Sequence, residues 1–159
     1  MLTSGGNAAG GGVPAVKVSE ILGTKGDRVA TVEPEESVRT AVERMASRAI
    51  GALVVVNRDG RIVGVISERD VMRSLAASDV AALSRFVRDV MTTDVVTCAR
   101  DDRLGELMAV MTRRRIRHIP VVEAGRLVGI VSIGDLVKSR LEELELESRV
   151  LRDAYLRVH

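Results

Sequence analysis

Apolar side chains recur along this chain in two alternating rhythms, and the same succession of rhythms occurs twice. In the first pass Val38, Ala41, Val42 and Met45 are spaced as on one face of a helix, and in the second Leu104, Leu107, Met108 and Met111 are. Two short apolar runs follow each helical stretch: Leu53 to Val56 with Ile62 to Ile66, then Ile119 to Val122 with Leu127 to Val131. The joining segments, Asn57-Arg58-Asp59-Gly60 and Glu123-Ala124-Gly125, carry glycine between β-branched runs and predict hairpins. A short strand ending at Thr31 or Thr97 precedes each helix, and a second helix starts after Ser67 and after Ser132. The predicted unit is β-α-β-β-α, present twice, which makes this an α/β chain of the α+β kind.

Laid against itself, the chain aligns over its whole middle. Thr31 falls on Thr97, Met45 on Met111 and Ile50 on Ile116, and after a one-residue deletion in the second turn Gly60-Arg61-Ile62-Val63-Gly64-Val65-Ile66-Ser67 falls on Gly125-Arg126-Leu127-Val128-Gly129-Ile130-Val131-Ser132. Asp70 then falls on Asp135. A shorter echo, Val18-Ser19-Glu20-Ile21-Leu22 against Val87-Arg88-Asp89-Val90-Met91, precedes each half. The division expected is a flexible Gly-rich tail over 1–15, a first repeat over 16–73, a connecting helical segment over 74–86, a second repeat over 87–138 and a C-terminal helix over 139–159. In that last helix Leu141, Leu144, Ser148, Leu151, Tyr155 and Val158 alternate three and four apart, a stripe that suits either packing on its own domain or pairing with another subunit.

Composition narrows the functions open to such a fold. Aromatic residues are 1% of the chain, so the stacking surfaces of single-stranded nucleic-acid binders are missing. The formal charge of +2 arises from 24 basic and 22 acidic residues and gives no electrostatic case for wrapping DNA. Cys98 is the single cysteine, read as a small buried apolar residue, and no intrachain disulfide can form. No apolar run reaches the ~18 residues of a membrane span, and no charged-then-apolar signal pattern opens the chain, so a cytoplasmic location and no membrane partner are expected. His118 and His159 form no set with zinc-type spacing, and no nucleophile-and-base motif is present; neither a metal nor catalysis is expected.

The duplicated pattern, with Arg117-His118-Ile119-Pro120-Val121-Val122 and Gly129-Ile130-Val131-Ser132-Ile133-Gly134-Asp135 in one half, and Gly51-Ala52-Leu53-Val54-Val55-Val56 and Gly64-Val65-Ile66-Ser67-Glu68-Arg69-Asp70 in the other, resembles the CBS (cystathionine β-synthase) domain family, whose tandem pairs are called Bateman modules. The resemblance implies two repeats packed with pseudo-two-fold symmetry and two clefts that take adenosyl ligands: AMP, ADP, ATP, NADH or S-adenosylmethionine. It also implies a homodimer, a regulatory role without a catalytic cofactor, and an effector protein still to be identified. A ligand-independent interaction or scaffold protein acting through the C-terminal helix is the alternative.

Ser67-x-x-Asp70 and Ser132-x-x-Asp135 sit where a strand gives way to a helix, and each reads first as a capping box that needs no ligand. The same geometry offers a helix N-terminus and a hydroxyl to a phosphate and a carboxylate to ribose hydroxyls. The resemblance assigns Asp70 and Asp135 to the ribose and Ser67 and Ser132 to the phosphate side. It places Thr31 and Thr97 at strand ends bordering the base, with the segments Ile50-Gly51-Ala52-Leu53 and Ile116-Arg117-His118-Ile119 as walls. The basic run Arg113-Arg114-Arg115-Ile116-Arg117-His118 has no equivalent in Ser47-Arg48-Ala49-Ile50-Gly51-Ala52. Charge runs usually form a solvated face, which suits Arg113 and Arg114. Arg117 and His118 lie immediately before the strand that contains Pro120 and are expected to meet a phosphate, with Arg69 adding charge, so the second repeat's cleft is expected to prefer the more anionic ligand or the phosphate end of it.

Overall fold

The computed structural model describes residues 15–158; the tail expected over 1–15 lies, apart from Ala15, outside the described residues. The chain opens with α1 (Val18–Lys25) and continues through β1 (Thr31–Val32), α2 (Val38–Arg48), β2 (Ala52–Val56), β3 (Ile62–Ser67) and α3 (Glu68–Ser78). Two short 3-10 turns, Asp79–Ser84 and Val87–Asp89, lead to α4 (Leu104–Arg114), β4 (His118–Glu123), β5 (Arg126–Ser132) and α5 (Ile133–Val158). The predicted β-α-β-β-α order is present in full in the first repeat, and its α-β-β-α part recurs in the second.

Local chemistry sets where these elements begin and end. Ser37 caps α2 by accepting the Thr40 N–H at 3.1 Å, and α2 and α4 both stop at a residue in the left-handed region, Ala49 (φ 52°) and Arg115 (φ 55°). Each left-handed residue donates its N–H back into the last helical turn and swings the chain toward the next strand. The second hairpin turns on Ala124 and Gly125, both at positive φ, the two-residue geometry that suits tight antiparallel pairing.

The sheets are not identical. In the first repeat β1 runs parallel to β2 and β2 antiparallel to β3, whereas β4 and β5 form a two-stranded sheet. The strand expected to end at Thr97 shrinks to a single bridge between Cys98 and Val121. Pro120 is the cause. Its equivalent, Val54, donates its N–H to the Ala30 carbonyl at 3.3 Å and holds β1 in register, and proline has no N–H to donate. The first strand also lies slightly later than expected, starting at Thr31 instead of ending there.

Two cores result, and each borrows from the other half. Val32, Ala41, Met45, Leu53, Val55 and Ile66 pack with Val87, while Leu107, Met111, Ile119, Val121, Val131 and Leu136 pack with Val18, Ile21 and Leu22. The short echo before each repeat is thus a docking segment for the opposite repeat. Glycines mark its landing sites: a Cβ at Gly129 would come within 2.8 Å of the Leu22 side chain, and one at Gly64 would meet the Met91 sulfur at 2.5 Å. The exchange is tied by the backbone, with Val18 N–H to the Asp102 carbonyl (3.0 Å) in one half and Val87 N–H to that of Glu36 (2.8 Å) in the other.

The C-terminal helix is not a separate element. No Gly or Pro interrupts the chain after Gly134, so the second helix of the second repeat and the expected terminal helix are one unbroken α5.

Candidate functional site

Two clefts flank the contact between the repeats, and both are built across it. The larger, about 660 Å³, lies between the start of α3 at Ser67–Asp70 and the turn Arg114–His118 that leaves α4, with Thr92, Val95 and Val96 along one wall. The smaller, about 460 Å³, lies between Ser132 and Asp135 at the start of α5 and the turn Arg48–Ala52 that leaves α2, with Lys25, Arg28 and Ala30. Volumes of this size suit small-molecule ligands. The sequence grouped Arg117 and His118 with Ser132 and Asp135 of their own repeat; the structure sets Arg117 against Ser67 and Asp70 instead.

Asp70 is buried and accepts three hydrogen bonds. One carboxylate oxygen accepts the Ser67 N–H and the Ser67 hydroxyl, both at 2.8 Å, and the other accepts the Thr92 hydroxyl at 3.1 Å with Arg73 at 3.7 Å. The capping box expected here is complete. Asp135 repeats the backbone part: its Oδ2 accepts the Ser132 N–H at 2.9 Å, and its own N–H donates to the Ser132 hydroxyl at 3.2 Å. Where Thr92 serves Asp70, however, Lys25 serves Asp135, its ammonium lying 2.6 Å from Oδ2 and 3.1 Å from the Ile130 carbonyl. The Thr92 N–H makes the matching bond to Val65, the counterpart of Ile130. A neutral hydroxyl in one half is thus replaced by a cation in the other. Burial works to raise the pKa of Asp135, but Lys25 and the Ser132 donors outweigh it and hold the carboxyl below its ordinary 3.8.

Gly51 and His118 line both clefts. A side chain on Gly51 would stand 3.3 Å from a Glu68 carboxylate oxygen and 3.4 Å from the His118 ring, so the missing Cβ leaves the room that the imidazole uses. Burial lowers the pKa of His118 below 6.5, Lys25 and Arg117 add to the fall, and Asp135 and Glu68 oppose it. His118 is therefore neutral at pH 7, able to donate one hydrogen bond and accept another. Arg69 donates to the Arg115 carbonyl at 3.0 Å, bracing the turn that carries Arg117.

Of the residues singled out from the sequence, Gly51, Ser67, Arg69, Asp70, Ile116, Arg117 and His118 line the larger cleft, and Gly51, Ala52, His118, Ser132 and Asp135 the smaller. Thr31, Leu53, Thr97, Ile119 and Pro120 line neither. Leu53 and Ile119 point into the two cores, and the walls expected at the threonines are formed one residue earlier, by Ala30 and Val96. Each cleft carries two more basic than acidic groups, so the expected difference between them is not one of net charge. Lys25, Glu68, Thr92 and Arg115 were missed. Arg115 and Glu68 belong to the basic run and to the first Ser-x-x-Asp motif, and Thr92 lies just beyond the echo that ends at Met91, whereas Lys25 left no trace. Cys98 is buried as expected, with burial pushing its thiol up to about 12.

Proteins of known structure share this architecture. A CBS-domain-containing protein from Agrobacterium tumefaciens superposes with a TM-score of 0.78 at 40% identity, covering 84% of this chain and 99% of its own. A CBS domain pair solved in complex with 5′-methylthioadenosine and S-adenosyl-L-methionine gives a TM-score of 0.72 at 27% identity, covering 83% of this chain and 99% of that one. A mitochondrial CBS domain-containing protein of Arabidopsis thaliana is 31% identical over 153 residues, 91% of this chain and 74% of the plant protein. The CBS domain pattern itself matches twice, over residues 18–77 and 87–142, and each match starts with the segment that docks on the opposite repeat. This chain belongs to the CBS domain family, as a tandem pair of its domains.

Proposed function

We propose that this protein is a regulatory module that binds an adenosyl ligand, with the cleft between Ser67–Asp70 and Arg114–His118 as its principal site, and that it performs no catalysis of its own. The observation that carries this is the composite build of the clefts, in which each strand-to-helix turn of one repeat faces a helix-to-strand turn of the other. A ligand seated there touches both repeats, so its binding energy falls on their mutual packing, which is what a sensor requires.

In the larger cleft Asp70 meets the ribose hydroxyls, and Ser67 with the N-terminal end of α3 faces the phosphate side. Arg115 and Arg117 supply charge to an anionic group, and neutral His118 supplies one further hydrogen bond. In the smaller cleft a ribose must compete with the Lys25 ammonium for Asp135, which makes that cleft the weaker site. The likeness to a domain pair that holds 5′-methylthioadenosine and S-adenosyl-L-methionine supports an adenosyl group as the shared element of recognition. AMP, ADP, ATP and NADH remain the nucleotides of choice because of the arginines at the larger cleft. We place the protein in the cytoplasm; no helix among the described residues is long and apolar enough to cross a membrane.

A melting series with AMP, ADP, ATP, NADH, S-adenosylmethionine and 5′-methylthioadenosine tests this reading. A ligand at a hundred times its Kd should stabilise the fold by about 2.7 kcal/mol. Asp70→Asn should abolish most of that shift and Asp135→Asn only part of it. No shift with any of the six at millimolar concentration sinks the proposal.

A further inference from the structure

We propose that the distal part of α5 pairs with the same segment of a second copy of this chain, as a parallel two-stranded coil. The helix is 26 residues long, about 39 Å at 1.5 Å per residue, and Leu136 anchors its start in the second core. Beyond that point its apolar residues are left in solvent: Leu141 is 56%, Leu144 44% and Leu151 71% exposed. Spaced three and four apart with Ser148 and Tyr155, they occupy successive a and d positions of a heptad, a seam about one helix wide.

The charges beside the seam select its occupant. Arg140 and Glu147 precede a positions, and Glu145 and Arg152 follow d positions. Set parallel and in register against a second copy, Arg140 faces Glu145 and Glu147 faces Arg152 on both sides, and every flanking pair is attractive. Set antiparallel with Leu144 against Tyr155, only Glu145 and Arg152 meet; slid by one heptad, Glu145 and Glu147 each oppose themselves. The segment is thus complementary to itself in one orientation above the others. Arg140 already pairs with Glu143 on its own helix, which leaves further guanidinium N–H groups for a neighbour. Ser148 places one polar layer in the seam, a device that fixes register. Three heptads would be marginal in isolation, but here the folded second repeat nucleates the helix.

The test uses the full chain. Sedimentation should give the mass of a dimer, and Leu144→Cys should form an intermolecular disulfide on mild oxidation, since position 144 meets its own copy only in the parallel register; buried Cys98 does not interfere. Glu147→Arg should weaken association about tenfold. The double variant Glu147→Arg with Arg152→Glu should restore it, because the two reversals recreate the same pair. A monomer at micromolar concentration, whether free or bound to another protein, overturns the proposal. So does a Leu144→Cys chain that stays unlinked, or a double variant that stays weak.

Discussion

Asp70 and Asp135 occupy equivalent positions and make the same backbone bond, yet their charge is compensated in different ways. Asp70 relies on the hydroxyls of Ser67 and Thr92, with the exposed Arg73 guanidinium at 3.7 Å, whereas Asp135 has an ammonium at 2.6 Å. The difference has a measurable consequence. Because the folded pKa of Asp135 lies below its ordinary 3.8, the stability it contributes is complete above that value and is lost as pH falls through the depressed one. Lys25→Met removes the main group that lowers it. In urea melts the variant should therefore be less stable than the parent at pH 7, by under about 1 kcal/mol since the pair is partly exposed, and the gap should close in acid. An equal gap at both pH values would mean that Lys25 acts by packing alone.

At the scale of elements, one proline accounts for the unequal sheets. Val54 and Pro120 are equivalent, and the N–H that holds β1 onto β2 has no counterpart in the second repeat. Pro120→Val should restore it: hydrogen exchange should show a protected amide at position 120, with a change in stability of less than about 1 kcal/mol, because the new bond is offset by a more flexible unfolded chain. A freely exchanging amide there would show that the pairing is prevented by something other than proline. The duplicated hairpins, caps and apolar stripes were legible from the sequence because each depends on neighbours within a few residues. The unbroken α5 was not, since the prediction placed a boundary where no Gly or Pro supplies one.

At the scale of the whole molecule, the two repeats are interlocked. Leu22 fills the space over Gly129 and Met91 the space over Gly64, so neither core is complete without a segment from before the other repeat. Leu22→Ala should destabilise the protein by about 2–5 kcal/mol even though it lies outside the second repeat's own strands and helices. Exchange protection should fall first in β4 and β5, against which it packs. Loss of protection confined to α1 and β1 would contradict the interlock. The same arrangement explains how an occupied cleft could be read elsewhere, since α5 both starts at the smaller cleft and carries the exposed seam at its other end.

The sequence by itself determined the duplication, the helix-hairpin-helix order common to both repeats, the Ser-x-x-Asp capping boxes and ten of the residues that line the clefts, because periodicity and caps are local and leave a mark at fixed spacing. Only the tertiary structure decided which turn faces which. A register of repeats gives intervals along the chain and no distances across it, so Arg117 was expected beside Asp135 and stands beside Asp70. Lys25 reached Asp135 from 110 residues away through the exchange of docking segments. Such a contact follows from packing, and no pattern within either repeat could have announced it.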